Sequence, residues 1–280
     1  VSPLPRLQAL QDKAMALAQE DADEGLFILL QTLPDLDLGY SATHALLTGL
    51  IGVLTAEKLG LARHHWPTLM RAAMLMNIGM ARLQDSLTRQ RQQPDAGQRE
   101  QINAHAQLGA DILRALDEPD PGVIALVQWH HSADPAELEG PLRTLLQILH
   151  VADQLIAKMA PRKVRAALLP LAATQSMVMQ STDTTAGLRR AMAAALGFYP
   201  PGSYVQLANG ETAVVIARGA HANAPHVASI IGASGMPLNK YSYRDTSIST
   251  YAVRAPLETQ TVHVIVNPER VRHLRQHYRV

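Results

Sequence analysis

The chain has 280 residues, enough for one sizeable helical domain and a small appended one. Its 25 basic and 24 acidic residues nearly cancel, so bulk charge gives no ground for a nucleic-acid or membrane-surface partner. The absence of cysteine excludes disulfides and thiolate metal sites and agrees with a cytoplasmic location, and no apolar run approaches the ~20 residues that cross a bilayer.

With only two phenylalanines, the core must be built from leucine, alanine and methionine, the composition of packed helices. From Pro5 to about Leu196 apolar residues recur at helical spacing, as in Leu47, Leu50/Ile51 and Leu54, or Leu69, Ala73 and Met76. Pro34, Gly60, the stretch 91–97, Glu118-Pro119-Asp120-Pro121 and Pro161 punctuate this pattern, predicting eight or nine helices. After Gly197 the character changes. Tyr199-Pro200-Pro201-Gly202-Ser203 reads as a turn, and strands are predicted over 204–207, 212–216, 226–231 and 262–266, with Asn209-Gly210 as a hairpin turn. The polar stretch 233–249 reads as a long loop, and a basic helix is predicted over 268–277. The expected fold is mainly α: N-terminal helices over 1–38, an all-α bundle over 39–197, and a small β-containing subdomain over 198–280.

Within the bundle, His105 falls between Ile102 and Gly109, His130 and His131 extend the Val123–Val127 stripe, and Asp153 lies between Leu149 and Ile156. With His44, these are imidazoles and a carboxylate on the inward faces of four helices. Buried polar groups of this kind need compensation, and a metal ion supplies it. A single histidine on an apolar face is more often a hydrogen-bonded core residue; the adjacent pair His130-His131 with Asp153 one helix later raises the case for a site.

The order His44, Gly79, His105-x-x-x-Gly109, His130-His131, Val151-Ala152-Asp153, Arg162-x-x-Arg165 and Tyr199-Pro-Pro-Gly-Ser-x-Val resembles the HD-GYP family, from about Ala42 to Ile216. That resemblance implies an HD-domain bundle whose histidines and aspartates hold two or three iron-type or manganese-type ions. In the family these ions activate water to cleave cyclic di-GMP. The chain departs from the pattern at its centre. Where the family has a His-Asp pair this sequence reads Met76-Asn77, the following lysine is Met80, and the Gly-Tyr-Pro loop after His131 gives way to 133–137. Tyr40 stands where three-metal members place a glutamate. A thioether buried as core and a neutral amide replace an imidazole and an anionic bridge, and the amide binds hard cations weakly.

The resemblance therefore predicts a degenerate member. Its remaining ligands are His105, His130, His131 and Asn77, with Asp153 and His44 at the neighbouring position, and it holds no metal or one divalent transition metal (Fe, Mn, Zn or Ni). Arg162 and Arg165 match the basic pair that grips phosphate in the family, or else form an ordinary solvated helix start. Lacking efficient cyclic di-GMP hydrolysis, such a protein would act in signalling by binding a cyclic dinucleotide, a protein partner or a second copy of itself as a homodimer. The alternative is a phosphodiesterase or phosphohydrolase with a reduced, mononuclear site.

Overall fold

The computed structural model describes residues 3–35, 37–132, 138–161, 163, 166–180 and 184–280. Ten α-helices precede Gly197 among them: α1 Leu4–Glu20, α2 Ala22–Thr32, α3 Tyr40–Lys58, α4 Trp66–Leu75, α5 Ala81–Arg89, α6 Ala96–Ala115, α7 Pro121–Trp129, α8 Gly140–Met159, α9 Pro170–Met179 and α10 Ala186–Leu196. This exceeds the eight or nine expected. One extra boundary lies at Asp21, whose carboxylate accepts from Glu24 N–H and so starts α2 one residue after α1 ends. No strand precedes Tyr204 among the described residues, and none of their helices is long and apolar enough to cross a membrane.

The bundle is organised around α3, which packs on α2, α4, α5, α8 and α10 and is buried over most of its length. Leu47, Ile51, Leu69, Leu145, Leu146 and Ile156 meet in this core at 2% exposure or less. Each such side chain contributes about 1.5–3 kcal/mol.

After the bundle come β1 Tyr204–Leu207, β2 Thr212–Ala217, β3 His226–Ile231, β4 Pro237–Asp245, β5 Val253–Leu257 and a final helix, α11 Pro268–Tyr278. The strands form one antiparallel sheet in the order β4-β3-β2-β1-β5. Alternation along them gives two apolar faces. Tyr204, Val214, Ile216, Ala228 and Ile230 meet Phe27 of α2 and Val271 of α11, while Val205, Leu207, Ala213, Val215 and Val227 lie beneath Tyr199 and Tyr251.

Two expectations for this region are corrected. The stretch 233–249 is not a loop: it contains β4, an edge strand whose polar residues face outward while Tyr241 is buried. Residues 262–266 alternate in burial as expected but pair with no strand; Val262, Val264 and Val266 simply lie along the sheet's apolar face. In their place β5 pairs with β1, with Pro256 opposite Val205, at an edge where a missing N–H leaves no gap in a ladder.

Helix α2 joins the two units. Leu26 belongs to the bundle core and its neighbour Phe27 to the sheet core. Gly202, at φ +95°, closes the Pro-Pro-Gly turn against α2, where a Cβ would stand 3.0 Å from Phe27 O. The Gln31 amide donates to Gly202 O at 2.6 Å and accepts from the Tyr204 hydroxyl at 3.0 Å. Acidic residues at the start of α2 complete the junction. Asp23 pairs with Arg218, Glu24 with Arg272 (2.9 Å) and Arg275 (3.0 Å), and Asp21 with Arg275. Arg275 and Glu24 are each only 7% exposed. Removing one partner of a buried pair strands the other, so Arg275→Ala should destabilise the protein by about 2–4 kcal/mol. Because Arg272 still serves Glu24, the loss should concentrate at the junction. Hydrogen exchange should show faster exchange in α11 and β2, and unchanged protection there would refute this role.

Candidate metal centre

Local sequence positions each side chain of the histidine constellation. Helix α6 starts at a capping box, Asp95 accepting from Gln98 N–H while the Gln98 side chain returns to Asp95 N–H, and this fixes the register that turns His105 inward. Helix α4 ends at Leu75, and a tight turn over 76–80 brings Gly79 against α6. A Cβ on Gly79 would sit 2.4 Å from the His105 carbonyl oxygen, so only glycine allows this approach. The start of α3, which carries Tyr40 and His44, has no side-chain cap of its own; Asp85 of α5 accepts from Ser41 N–H at 2.7 Å instead. His130 caps the C-terminus of α7 and His131 follows it.

These placements bring His105, His130 and His131 together, with candidate ligand nitrogens all within 4.8 Å of one another. His105 Nε2 lies 3.1 Å from His130 Nε2 and 3.1 Å from His131 Nε2. The first two rings are fully buried and the third is exposed. His105 Nδ1 donates to Ile102 O, and His130 Nδ1 donates to Val127 O at 2.7 Å. A carbonyl can only accept, so both Nδ1 atoms carry the proton. In the neutral rings both Nε2 atoms are then bare lone pairs, facing each other at a separation where neither can donate. Two nitrogens on one tetrahedral zinc, each at about 2.0–2.1 Å, stand about 3.3 Å apart. The trio can hold a metal ion.

His44 and Asp153 are arranged differently. His44 Nε2 and Asp153 Oδ1 are 2.7 Å apart, and His44 Nδ1 is 2.9 Å from the Tyr40 hydroxyl, which can donate or accept as the ring requires. This half of the site is closed by its own hydrogen bonds. A cavity of about 230 Å³ joins the halves; it is bordered by His44, Asp153, His105 and His131, with Asn77 and Gln84 opposite. Asn77 is 6% exposed, and the Gln84 carbonyl oxygen is buried without a partner among the described residues. Met80 also lines the cavity, and Met76 is fully buried in the bundle core.

Electrostatics follows from burial. His105, His130 and His131 are all held below the ordinary histidine value, chiefly by desolvation, with His131 adding repulsion to the other two; for His130 the value falls to about 3. Asp153 is pushed up by its burial, but the His44 hydrogen bond and the surrounding imidazoles prevail and bring it down to about 2.

Of the residues expected at the site, His44, Asn77, His105, His131 and Asp153 share one cavity and His130 abuts it. Arg162, Arg165 and the 133–137 loop lie outside the described residues. Sequence reading missed three contributors. Tyr40 was noted as a departure but not as a hydrogen-bond partner of His44, and Gln84 was not noticed. His150 bonds the His130 carbonyl. The i, i+4 spacing of Tyr40 with His44 and of His150 with Gln154 was the available signal.

A helical bundle whose core gathers histidines from separate helices is an architecture in which metal sites are built. Residues 41–158 match the HD domain family, a span that includes all six of these residues. The fold is thus a mainly α bundle, HD-domain-like over the matched residues, followed by a C-terminal antiparallel sheet. No curated protein matches it significantly.

The lowered imidazoles set a pH dependence. The unfolded chain binds protons near the ordinary histidine value of 6.5, whereas the folded trio resists them, His130 down to about 3. Between these values the unfolded state holds more protons, so stability rises with pH and is lost as pH falls below about 6.5. The Asp153 contribution persists to lower pH, being lost only from about 3.8 toward 2. Urea midpoints of chelator-treated protein should therefore decline steadily from pH 7 to pH 5. A flat profile would mean that the imidazoles are not buried together.

Proposed function

We propose that this protein is a degenerate HD-GYP-type signalling protein that binds one divalent transition metal through His105, His130 and His131 and lacks efficient hydrolysis of cyclic di-GMP. The observation that carries the reading is the contrast between the two halves of the site. The His105 and His130 lone pairs face each other 3.1 Å apart with their Nδ1 protons committed to backbone carbonyls, a donor set that a cation completes. Asp153 is instead occupied by His44, and His44 by Tyr40. A bound metal would supply Lewis acidity next to the cavity, with the Asn77 amide as a weak further oxygen donor. The residues that would build a second, bridged position are Met76, turned into the core, and Asn77, which carries no charge. Without a bridge the two-ion clamp on attacking and leaving oxygens cannot form. The domain then works by presenting a ligand-dependent surface, with a cyclic dinucleotide as ligand and a signalling protein or a second copy as partner.

One observation favours the alternative of a mononuclear phosphohydrolase. The exposed His131 and the ionised Asp153 border the same cavity, which has room for a water and a phosphoester oxygen. Elemental analysis of protein purified without added metal separates the readings when paired with an assay. One equivalent per chain is expected, together with a melting temperature that falls on chelation. Two equivalents would overturn the degenerate reading, and none would overturn the metal site. Cyclic di-GMP turnover should be slower than that of an intact family member by about a hundredfold or more. Turnover near the intact rate would refute the proposal, while slow, metal-dependent cleavage of simple phosphoesters would favour the alternative. Met76→His together with Asn77→Asp should raise the metal content toward two equivalents without restoring full activity; a content that stays at one would show that these two positions do not build the second metal position.

A further inference from the structure

His130 and His131 occupy an awkward place in the chain. Helix α7 ends at Trp129, so both follow its last helical residue, where carbonyls have no partner further along the helix. A metal centre that takes two ligands from a helix end needs that end held. The described structure holds it from α8. His150 Nδ1 donates to the His130 carbonyl oxygen at 2.8 Å, and the Gln154 amide donates to His150 Nε2 at 2.9 Å. The two contacts fix one another: the carbonyl requires a proton on Nδ1, and the amide donor requires a lone pair on Nε2, so the ring is set as the Nδ1–H tautomer. His150 and Gln154 lie one turn apart on α8, the helix that also carries Asp153, so one rigid element fixes the backbone of the His130–His131 end and the carboxylate across the cavity.

We propose that His150 is a positioning residue for the metal centre, holding the His130–His131 end of α7 in ligating geometry through the His130 carbonyl, with Gln154 setting its tautomer. This rests on the metal reading given above. His150 touches no metal; it acts by removing freedom from two ligands before a metal arrives. Removing such a support costs about 10–100-fold in metal affinity.

The test is a Co(II) titration of the full chain followed by its visible ligand-field bands, with zinc affinity measured by competition against a chromophoric chelator. His150→Ala should weaken zinc binding by about 10–100-fold and alter the cobalt bands. His150→Asn places an amide N–H close to the position of Nδ1–H and should recover affinity to within a few-fold, whereas His150→Gln, whose amide reaches toward the Nε2 position, should not. A role in packing alone predicts no such difference between Asn and Gln. Should His150→Ala fail to fold, the Asn and Gln variants still decide the matter. The proposal is overturned if His150→Ala binds zinc within threefold of the parent, or if the Asn and Gln variants are equally weak. If the parent protein gives no cobalt spectrum, the metal reading itself falls and this inference falls with it.

Discussion

Two imidazole lone pairs, on His105 and His130, are held face to face, and a large part of the bundle serves to keep them there. Each ring is locked from behind by a backbone carbonyl, so neither can turn away or move its proton to the facing nitrogen. The helices beneath are set by contacts that leave little play. Gly79 lets the turn after α4 touch the backbone of α6, and a Cβ on Gly109 would crowd Val127 of α7 at 3.1 Å. The Asp95 capping box fixes where α6 begins, and hence which way residue 105 points. In a protein interior, where an uncompensated polar group costs several kcal/mol, such an arrangement is stable only with a cation between the rings or with water rearranged around them.

The other half of the site has settled its own polarity. A carboxylate, an imidazole and a phenol form a chain from Asp153 through His44 to Tyr40, and each has the partner it needs. Neighbouring residues have thus diverged in physical character within a few ångströms. Among the described residues, the departures from the resembled pattern fall on the self-satisfied side and on the turn over 76–80, while the three histidines and the glycines that bring their helices together remain. Met76 packs as ordinary core at no exposure, and Asn77 beside it borders the cavity as a neutral amide.

Much of this was legible in the chain. Helical periodicity delivered the bundle, since a 3.6-residue repeat of leucine and alanine has few other ways to bury itself. His44, His105 and Asp153 could be picked out because each sits on the inward stripe of its own helix, and His130 and His131 because they continue the stripe of α7 past its end, where His130 is buried and His131 exposed. The sheet was read less well, for a physical reason. Strand β4 is an edge with one solvated side, so its composition resembles a loop; β5 carries Pro256, which disqualifies a central strand but not an edge. The 262–266 segment has the alternation of a strand without a ladder to join. The His150 contact is not legible locally, because it depends on a carbonyl twenty residues away.

Helix α2 spends adjacent residues on different interiors, Leu26 on the helical one and Phe27 on the sheet, while its acidic first turn receives arginines from β2's end and from α11. An element shared in this way cannot come loose from one unit without exposing the other. The two units are consequently thermodynamically coupled: the free energy of opening either includes the cost of uncovering α2, and a disturbance at the sheet's α2-facing side is felt in the bundle as a change in the support of α3.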